Sequence, residues 1–346
     1  MTRPLLAESP ARLADVLGGA GRSRMVFRAL ARGEDPHAPS VLPEGLRRRV
    51  ADATAPIRTV ERARSVAADG TVKLLLEVGG HQVECVLIPE RSRTTLCVSS
   101  QRGCARGCAF CLTAELGLEA NLAPEDVVAQ VHHGIRVVEQ LRMPPLRNLV
   151  FMGMGEPLDN WRAVRPAIDV LVDGRGFGFG PRHVTVSTVG PSPRAIERLA
   201  GCPTRLAWSL HAARDEVRRS LVSTQRHPVE LLRDAFSAVF ATRKDPLFVE
   251  ITLMEGVNDA PLDATAVLQL FDGFPREVRF NLLPMNPSRD GLRPSPPDRV
   301  ERFAAELRRA GRFAMVRRAR GQDALAACGQ LARIVSPPAR RPRPAP

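Results

Sequence analysis

Three of the chain's seven cysteines lie within eight residues, Cys104, Cys108 and Cys111 of QRGCARGCAFC, spaced CxxxCxxC. The full set is Cys85, Cys97, Cys104, Cys108, Cys111, Cys202 and Cys328. An odd, clustered set of this kind does not suit a secreted disulfide framework and favours metal binding or thiol chemistry. A structural zinc site takes four protein ligands. No second CxxC or HxxxH pair supplies the fourth, and the adjacent His132 and His133 fall on a helix-like run where their side chains diverge. A 4Fe-4S cluster also has four irons to cap. With three irons on Cys104, Cys108 and Cys111, one iron stays open for a substrate or cofactor. Three thiolates are therefore the number expected where chemistry occurs at the metal.

A second candidate is FMGMGEPLDN. Gly153 and Gly155 let backbone approach a ligand closely, and Glu156 offers a carboxylate to an ammonium group. Taken alone, the stretch reads equally well as a glycine-rich turn. Cys85 and Cys202 fit no motif and are expected to be structural or incidental.

These residues need a scaffold. Residues 1–56 read as short helices, ARLADVL, RMVFRALARG and LPEGLRRRVADA, punctuated by GGAG and GEDPHAPS; this predicts a helical accessory domain. Residues 57–96 change to alternation, with ADG and GG as turns, and predict a three-strand β meander. From there to residue 332, six strand-like runs (TTLCVSS, RNLVFMGMG, RHVTVSTVG, TRLAWSLH, PLFVEITLM, EVRFNLLPMN) alternate with helical stretches. In the first helix Val127, Val128, Val131, Ile135, Val138 and Leu141 recur at helical spacing behind Pro124. Six βα units predict an α/β fold with parallel strands, either a partial or complete barrel or a doubly wound sheet. In all of these, sites gather at the carboxyl ends of the strands. Residues 333–346 are rich in Pro and Arg and are expected to be a disordered tail.

At 346 residues and 44% apolar content the chain can fill a sizeable core. No apolar run nears the roughly 18 residues of a membrane span, and the N-terminus lacks a signal-peptide pattern, so the expected location is cytoplasmic. The formal net charge of +13 predicts attraction to a polyanion, with nucleic acid the natural candidate. Eight arginines lie between Arg312 and the end against the single acid Asp323. Tyrosine is absent, leaving Trp161, Trp208 and thirteen phenylalanines to stack on bases. Recognition through arginine–phosphate contacts and shape is the expected mode.

CxxxCxxC with Phe110 before its last cysteine is the radical S-adenosylmethionine (SAM) signature, and GMGEP resembles the GGEP motif of those enzymes. LCVSSQxGCxxxCxFC, FMGMGEPLxN, VTVSTVG, SLHA, NLLPMNP and RGQDALAACGQL, in this order, resemble the RlmN/Cfr family of radical SAM RNA methyltransferases over roughly residues 60–332. Two stretches depart from that pattern, SLVSTQRHPVELL after SLHA and SRDGLRPSPPDR after PMNP; both read as RNA-facing loops.

The resemblance implies a partial (β/α)6 radical SAM barrel over residues 97–332, one 4Fe-4S cluster per chain on Cys104, Cys108 and Cys111, and SAM as cofactor. It implies methylation of a ring carbon of adenosine, C2 or C8, in 23S ribosomal RNA or also in transfer RNA. Such a carbon is electrophilic and cannot attack the SAM methyl directly, so a carrier is needed. In the family's chemistry Cys328 takes a methyl from one SAM, and a radical derived from a second SAM removes hydrogen from that S-methyl group. The methylene adds to the ring, and the RNA–protein adduct loses a proton and is released. Cys97 matches the thiol that forms a transient disulfide with the methyl-carrying cysteine, and Glu84, in the VExVxIPE pattern, matches the proton acceptor. From the strand pattern alone, Glu84 could equally face solvent. Cys328 could be a small core residue, although Gly329 and Gln330 after it predict an exposed loop. Gly155, Glu156, Ser187, Ser209, Leu210, His211 and Asn286 carry over as SAM contacts, suited to ribose and adenine hydrogen bonding. A flavodoxin or ferredoxin is implied as reductant, and the chain is expected to be a monomer without membrane association. Two rival readings share parts of the sequence: a radical SAM enzyme acting on a small molecule, and a non-catalytic iron–sulfur RNA-binding protein.

Overall fold

The structure, a computed structural model, describes residues 2–286, 291–326 and 329–331. Three helices open the chain, α1 (Pro10–Leu17), α2 (Ala20–Leu30) and α3 (Glu44–Ala53). Local chemistry sets their limits. The Ser9 hydroxyl accepts from the Arg12 amide at 3.2 Å ahead of Pro10, and Gly18, with φ of 74°, ends the first helix. Their apolar stripes, including Leu13, Leu17, Val26, Phe27, Leu30 and Val50, are buried in the main core.

Ten strands then form one sheet whose spatial order repeats the chain order. They are β1 (Thr59–Val66), β2 (Val72–Val78), β3 (His81–Pro89), β4 (Thr94–Cys97), β5 (Leu146–Phe151), β6 (Val184–Thr188), β7 (Arg205–Ser209), β8 (Leu247–Leu253), β9 (Val278–Pro284) and β10 (Phe313–Val316). Pairing is antiparallel from β1 through β4 and parallel from β4 to β10. The meander is thus the antiparallel edge of the same sheet. The parallel strands are linked through α4 (Pro124–Gln140), α5 (Trp161–Val172), α6 (Pro193–Glu197), α7 (Asp215–Leu221), α8 (Val229–Phe240), α9 (Pro261–Leu270) and α10 (Pro297–Arg309). This is the α/β architecture with a parallel-stranded partial barrel that the βα rhythm predicts.

Strand alternation divides the sheet into two faces. Leu149, Phe151, Val184, Val186, Leu206, Trp208, Val249, Ile251, Phe280 and Leu282 alternate along β5–β9 and are almost wholly buried in the core. Trp208 lies 4.8 Å from the Phe236 ring of α8 and 5.8 Å from Phe271, which pins β7 to its helical layer. The intervening positions, Ser187, Ser209, Glu250 and Asn281, belong to the opposite face. Both tryptophans are buried, so neither is placed to stack on a base; the phenylalanine that is exposed is Phe313, on edge strand β10, with Arg279 over its ring.

Beyond β10 the chain runs back to the antiparallel edge. Arg320 pairs with Asp69 at 2.8 Å, the Gly321 amide donates to the same carboxylate at 3.1 Å, and Asp323 accepts from the Ala68 amide at 2.8 Å. The two sides of the curved sheet are thereby tied together across its open side.

Candidate active site

The cysteine loop leaves β4 and is framed by a two-stranded ribbon, Gln101–Gly103 against Leu118–Asn121. Gly103 has φ of 74°, and a Cβ there would lie 1.8 Å from the Gly117 carbonyl oxygen, so only glycine fits. The loop is fastened at several points. Cys104 donates its amide to Gly117 O at 2.8 Å, Ala109 donates to Leu221 O at 3.0 Å, and the Thr224 hydroxyl donates to Arg106 O at 2.9 Å. Arg106 grips Asp159 through two hydrogen bonds of 2.6 and 2.7 Å. The three thiols share one neighbourhood: burial chiefly, and Cys111 and Cys104 in addition, raise the Cys108 thiol's pKa. Burial likewise pushes Cys104 up to about 12 and raises Cys111. Thiols held protonated in this way favour ionisation only when a metal takes the thiolate. Among the described residues no group of three His, Cys, Asp or Glu side chains is arranged for a single metal ion. A cluster that takes one thiolate per iron makes a different demand, and three neighbouring thiols suit it.

Strand ends β5 to β7 supply the next layer. After β5 the chain turns at Gly155, φ 97°, where a Cβ would stand 2.5 Å from Gln101 Cβ. Glu156 is buried and bridges two loops, accepting from the Leu158 amide on Oε1 and the Val189 amide on Oε2, each at 3.0 Å. Burial pushes its pKa up to about 7 against the Thr188, Val189 and Leu158 hydrogen bonds. With three of the carboxylate's roughly four lone-pair sites taken, one remains. Ser187 and Ser209 hydroxyls bond each other at 2.9 Å across β6 and β7. Leu210 is fully buried and His211 nearly so, with a left-handed φ of 61° at His211. Its ring packs on Phe110 at 4.6 Å, and its Nδ1 accepts from the Thr252 amide at 3.3 Å. Burial first, and Arg218 next, lower the imidazole to about 3, so it is neutral and acts as a hydrogen-bonding group. Asn286, just past β9, accepts from Gln322 at 2.9 Å.

Glu84 lies on β3, and it does not face solvent: it is 1% exposed, with Lys73 Nζ 3.2 Å from Oε1. Register places Cys97 opposite Val86, so Glu84, two residues away, shares a sheet face with Cys97. Cys328 lies outside the described residues. Of its sequence neighbours, Gly329 accepts from the Leu112 amide at 2.8 Å, beside Cys111, and Lys73 donates to Leu325 O at 3.0 Å. Cys85 and Cys202 are buried thiols. His132 bonds Glu34 O and His133 bonds Glu61, confirming that their side chains part.

Sequence reasoning missed three groups. Arg218, fully buried, bonds the Leu210 and Val189 carbonyls and lies over Trp208 at 5.7 Å, locking the β6 and β7 loops together. Glu250, buried on β8, accepts from Asn281 at 2.8 Å; burial pushes it up to about 7, with Asn281 and Arg317 opposing. Lys73 is the third. Glu250 and Asn281 carried a readable signal, since both are polar residues within largely apolar strands. Arg218 carried none, because its partners are backbone carbonyls of distant loops.

A parallel curved sheet with three cysteines after its first parallel strand and a buried glutamate after the next defines a radical SAM enzyme. The Radical SAM superfamily profile matches residues 98–268. The chain is 43% identical over 317 residues to the dual-specificity RNA methyltransferase RlmN of Anaeromyxobacter sp. (strain Fw109-5), covering 88% of this chain and 82% of that protein. It is 42% identical over 338 residues to the protein of the same name from Anaeromyxobacter dehalogenans (strain 2CP-C), covering 93% and 89%. The crystal structure of a radical SAM methyltransferase from Sphaerobacter thermophilus superposes with a TM-score of 0.87 at 36% identity, over 95% of this chain and 99% of that one. The chain belongs to the RlmN/Cfr family of radical SAM RNA methyltransferases. No helix among the described residues is long and apolar enough to cross a membrane.

Proposed function

We propose that this enzyme methylates C2 or C8 of an adenosine in 23S ribosomal RNA through a methyl-cysteine formed on Cys328. The observation that carries the reading is the return of the C-terminal segment over the sheet: residues 325 and 329, on either side of position 328, bond Lys73 and Leu112. Lys73 adjoins Glu84, and Leu112 adjoins Cys111. Cys104, Cys108 and Cys111 would hold a 4Fe-4S cluster, which together with bound SAM supplies the hydrogen-abstracting radical. Gly155, Glu156, Ser187, Ser209, Leu210, His211 and Asn286 would bind SAM. Tight backbone approach at Gly155 and the neutral His211 imidazole suit an uncharged nucleoside and an amino-acid head group. Glu84 would accept the ring proton from the adduct, and Cys97 would release Cys328 by forming a disulfide with it. The arginine-rich surface would meet RNA phosphates. A flavodoxin or ferredoxin would supply electrons to a monomeric enzyme.

The test is mass spectrometry of nucleosides from 23S RNA and transfer RNA treated with reconstituted enzyme. The expected result is 2-methyladenosine or 8-methyladenosine, lost in Cys328→Ala while SAM cleavage persists. Neither nucleoside with either RNA overturns the proposal.

A further inference from the structure

Lysine is nearly excluded from this chain: of 50 Lys and Arg residues, all but Lys73 and Lys244 are arginine. Lys244 is exposed, as a surface cation should be. Lys73 is 2% exposed. It stands on β2, and because Leu75 pairs with Glu84, Lys73 is a diagonal cross-strand neighbour of that carboxylate. Its single nitrogen holds two partners from different parts of the chain, an ion pair with Glu84 Oε1 at 3.2 Å and a hydrogen bond to Leu325 O at 3.0 Å. Leu325 itself is held at a left-handed φ of 49°, which a leucine adopts only where its surroundings enforce it.

A chain that uses guanidinium almost everywhere keeps an ammonium here for a geometric reason. An ammonium is a compact point charge with three donors on one atom, whereas a guanidinium spreads its donors over a planar fork suited to bidentate partners. A carboxylate and a carbonyl converging on one point from separate elements suit the former. We propose that Lys73 is a positioning residue for Glu84, fixing the carboxylate and the returning C-terminal segment to each other so that the base is aligned only when that segment is seated. This rests on the reading of Glu84 as proton acceptor. The transfer it aligns moves a proton from the ring carbon to a carboxylate oxygen and leaves the C–H electron pair on the ring; Lys73 makes and breaks no bond.

The experiment compares wild type, Lys73→Met, Glu84→Gln and the double variant, with Lys73→Arg alongside. In Lys73→Met, kcat for RNA methylation should fall about a hundredfold, the lower range of a general base's contribution. KM for RNA and 5′-deoxyadenosine formation should hold within about twofold, and the covalent RNA–protein adduct should accumulate on denaturing gels. Lys73→Arg should recover part of kcat, and Lys73→Met should cause no further fall beside Glu84→Gln. Wild-type kcat in Lys73→Met, or an equal further fall beside Glu84→Gln, overturns the inference. Thermal unfolding of the same proteins gives a readout free of activity: Lys73→Met should lower Tm sharply alone and much less beside Glu84→Gln, and equal drops overturn the coupling. A wild-type enzyme that methylates no adenine sinks the functional reading, while the unfolding cycle still decides the Lys73–Glu84 coupling.

Discussion

The antiparallel and parallel halves of the sheet deliver functional groups in different ways. In the parallel half, candidate groups cluster at strand ends and in the loops beyond them: Glu156 after β5, Ser187 near the end of β6, Ser209 to His211 at and after β7. The helical return of each βα unit leaves that edge free, and groups there are held by backbone amides and by Arg218. In the antiparallel half, hairpins occupy both ends, so Lys73 and Glu84 sit within their strands and are held by each other. Strand-end groups come with recognisable loop motifs. Mid-strand groups depend on register, which sequence does not display.

The largest effect should come from the loop that leaves the junction of the two halves. Cys104→Ala should abolish 5′-deoxyadenosine formation, measured by chromatography after chemical reduction, while circular dichroism stays native; retained cleavage would remove the cluster from the parallel half's role. Arg218→Met should come next. It strips charged hydrogen bonds from two buried carbonyls, each worth about 1.5–3 kcal/mol, and should lower unfolding free energy by about 3 kcal/mol in urea titrations. Loss of stability near zero would show that the strand ends hold their own shape without that pin. The smallest effect sharpens the contrast within the parallel half. Glu250 has its carboxyl raised to about 7 by burial, so the folded state binds more protons than the unfolded one between the ordinary glutamate range and neutrality. Stability should therefore fall as pH rises through that window. Glu250→Gln, which keeps an acceptor for Asn281, should flatten the slope and raise stability at pH 8 by on the order of 3 kcal/mol, since each pK unit is about 1.4 kcal/mol. An unchanged slope between pH 5 and 8 would assign the dependence elsewhere.

Much of the scaffold was legible. The six βα units, the three N-terminal helices and the meander follow from periodicity and turn residues, because those are set within a few positions of the chain. What escaped was pairing at a distance. That the meander continues the catalytic sheet depends on the β3–β4 ladder, and Glu84's place beside Lys73 depends on the β2–β3 register. Alternation in β3 left its exposure open, since an inner face and a solvent face have the same period.

By itself the sequence determined the chemistry on offer: three thiols spaced CxxxCxxC, glycines where a Cβ has no room, and a strand–helix rhythm. Tertiary structure decided which groups meet. Lys73 meets Glu84 and Leu325, and Leu112 meets Gly329, through a sheet that curves and a C-terminal segment that returns to it, contacts spanning up to 252 positions. Local propensity acts over a few residues, whereas burial and charge pairing act through space, so only the folded chain could place a lone lysine beside its carboxylate.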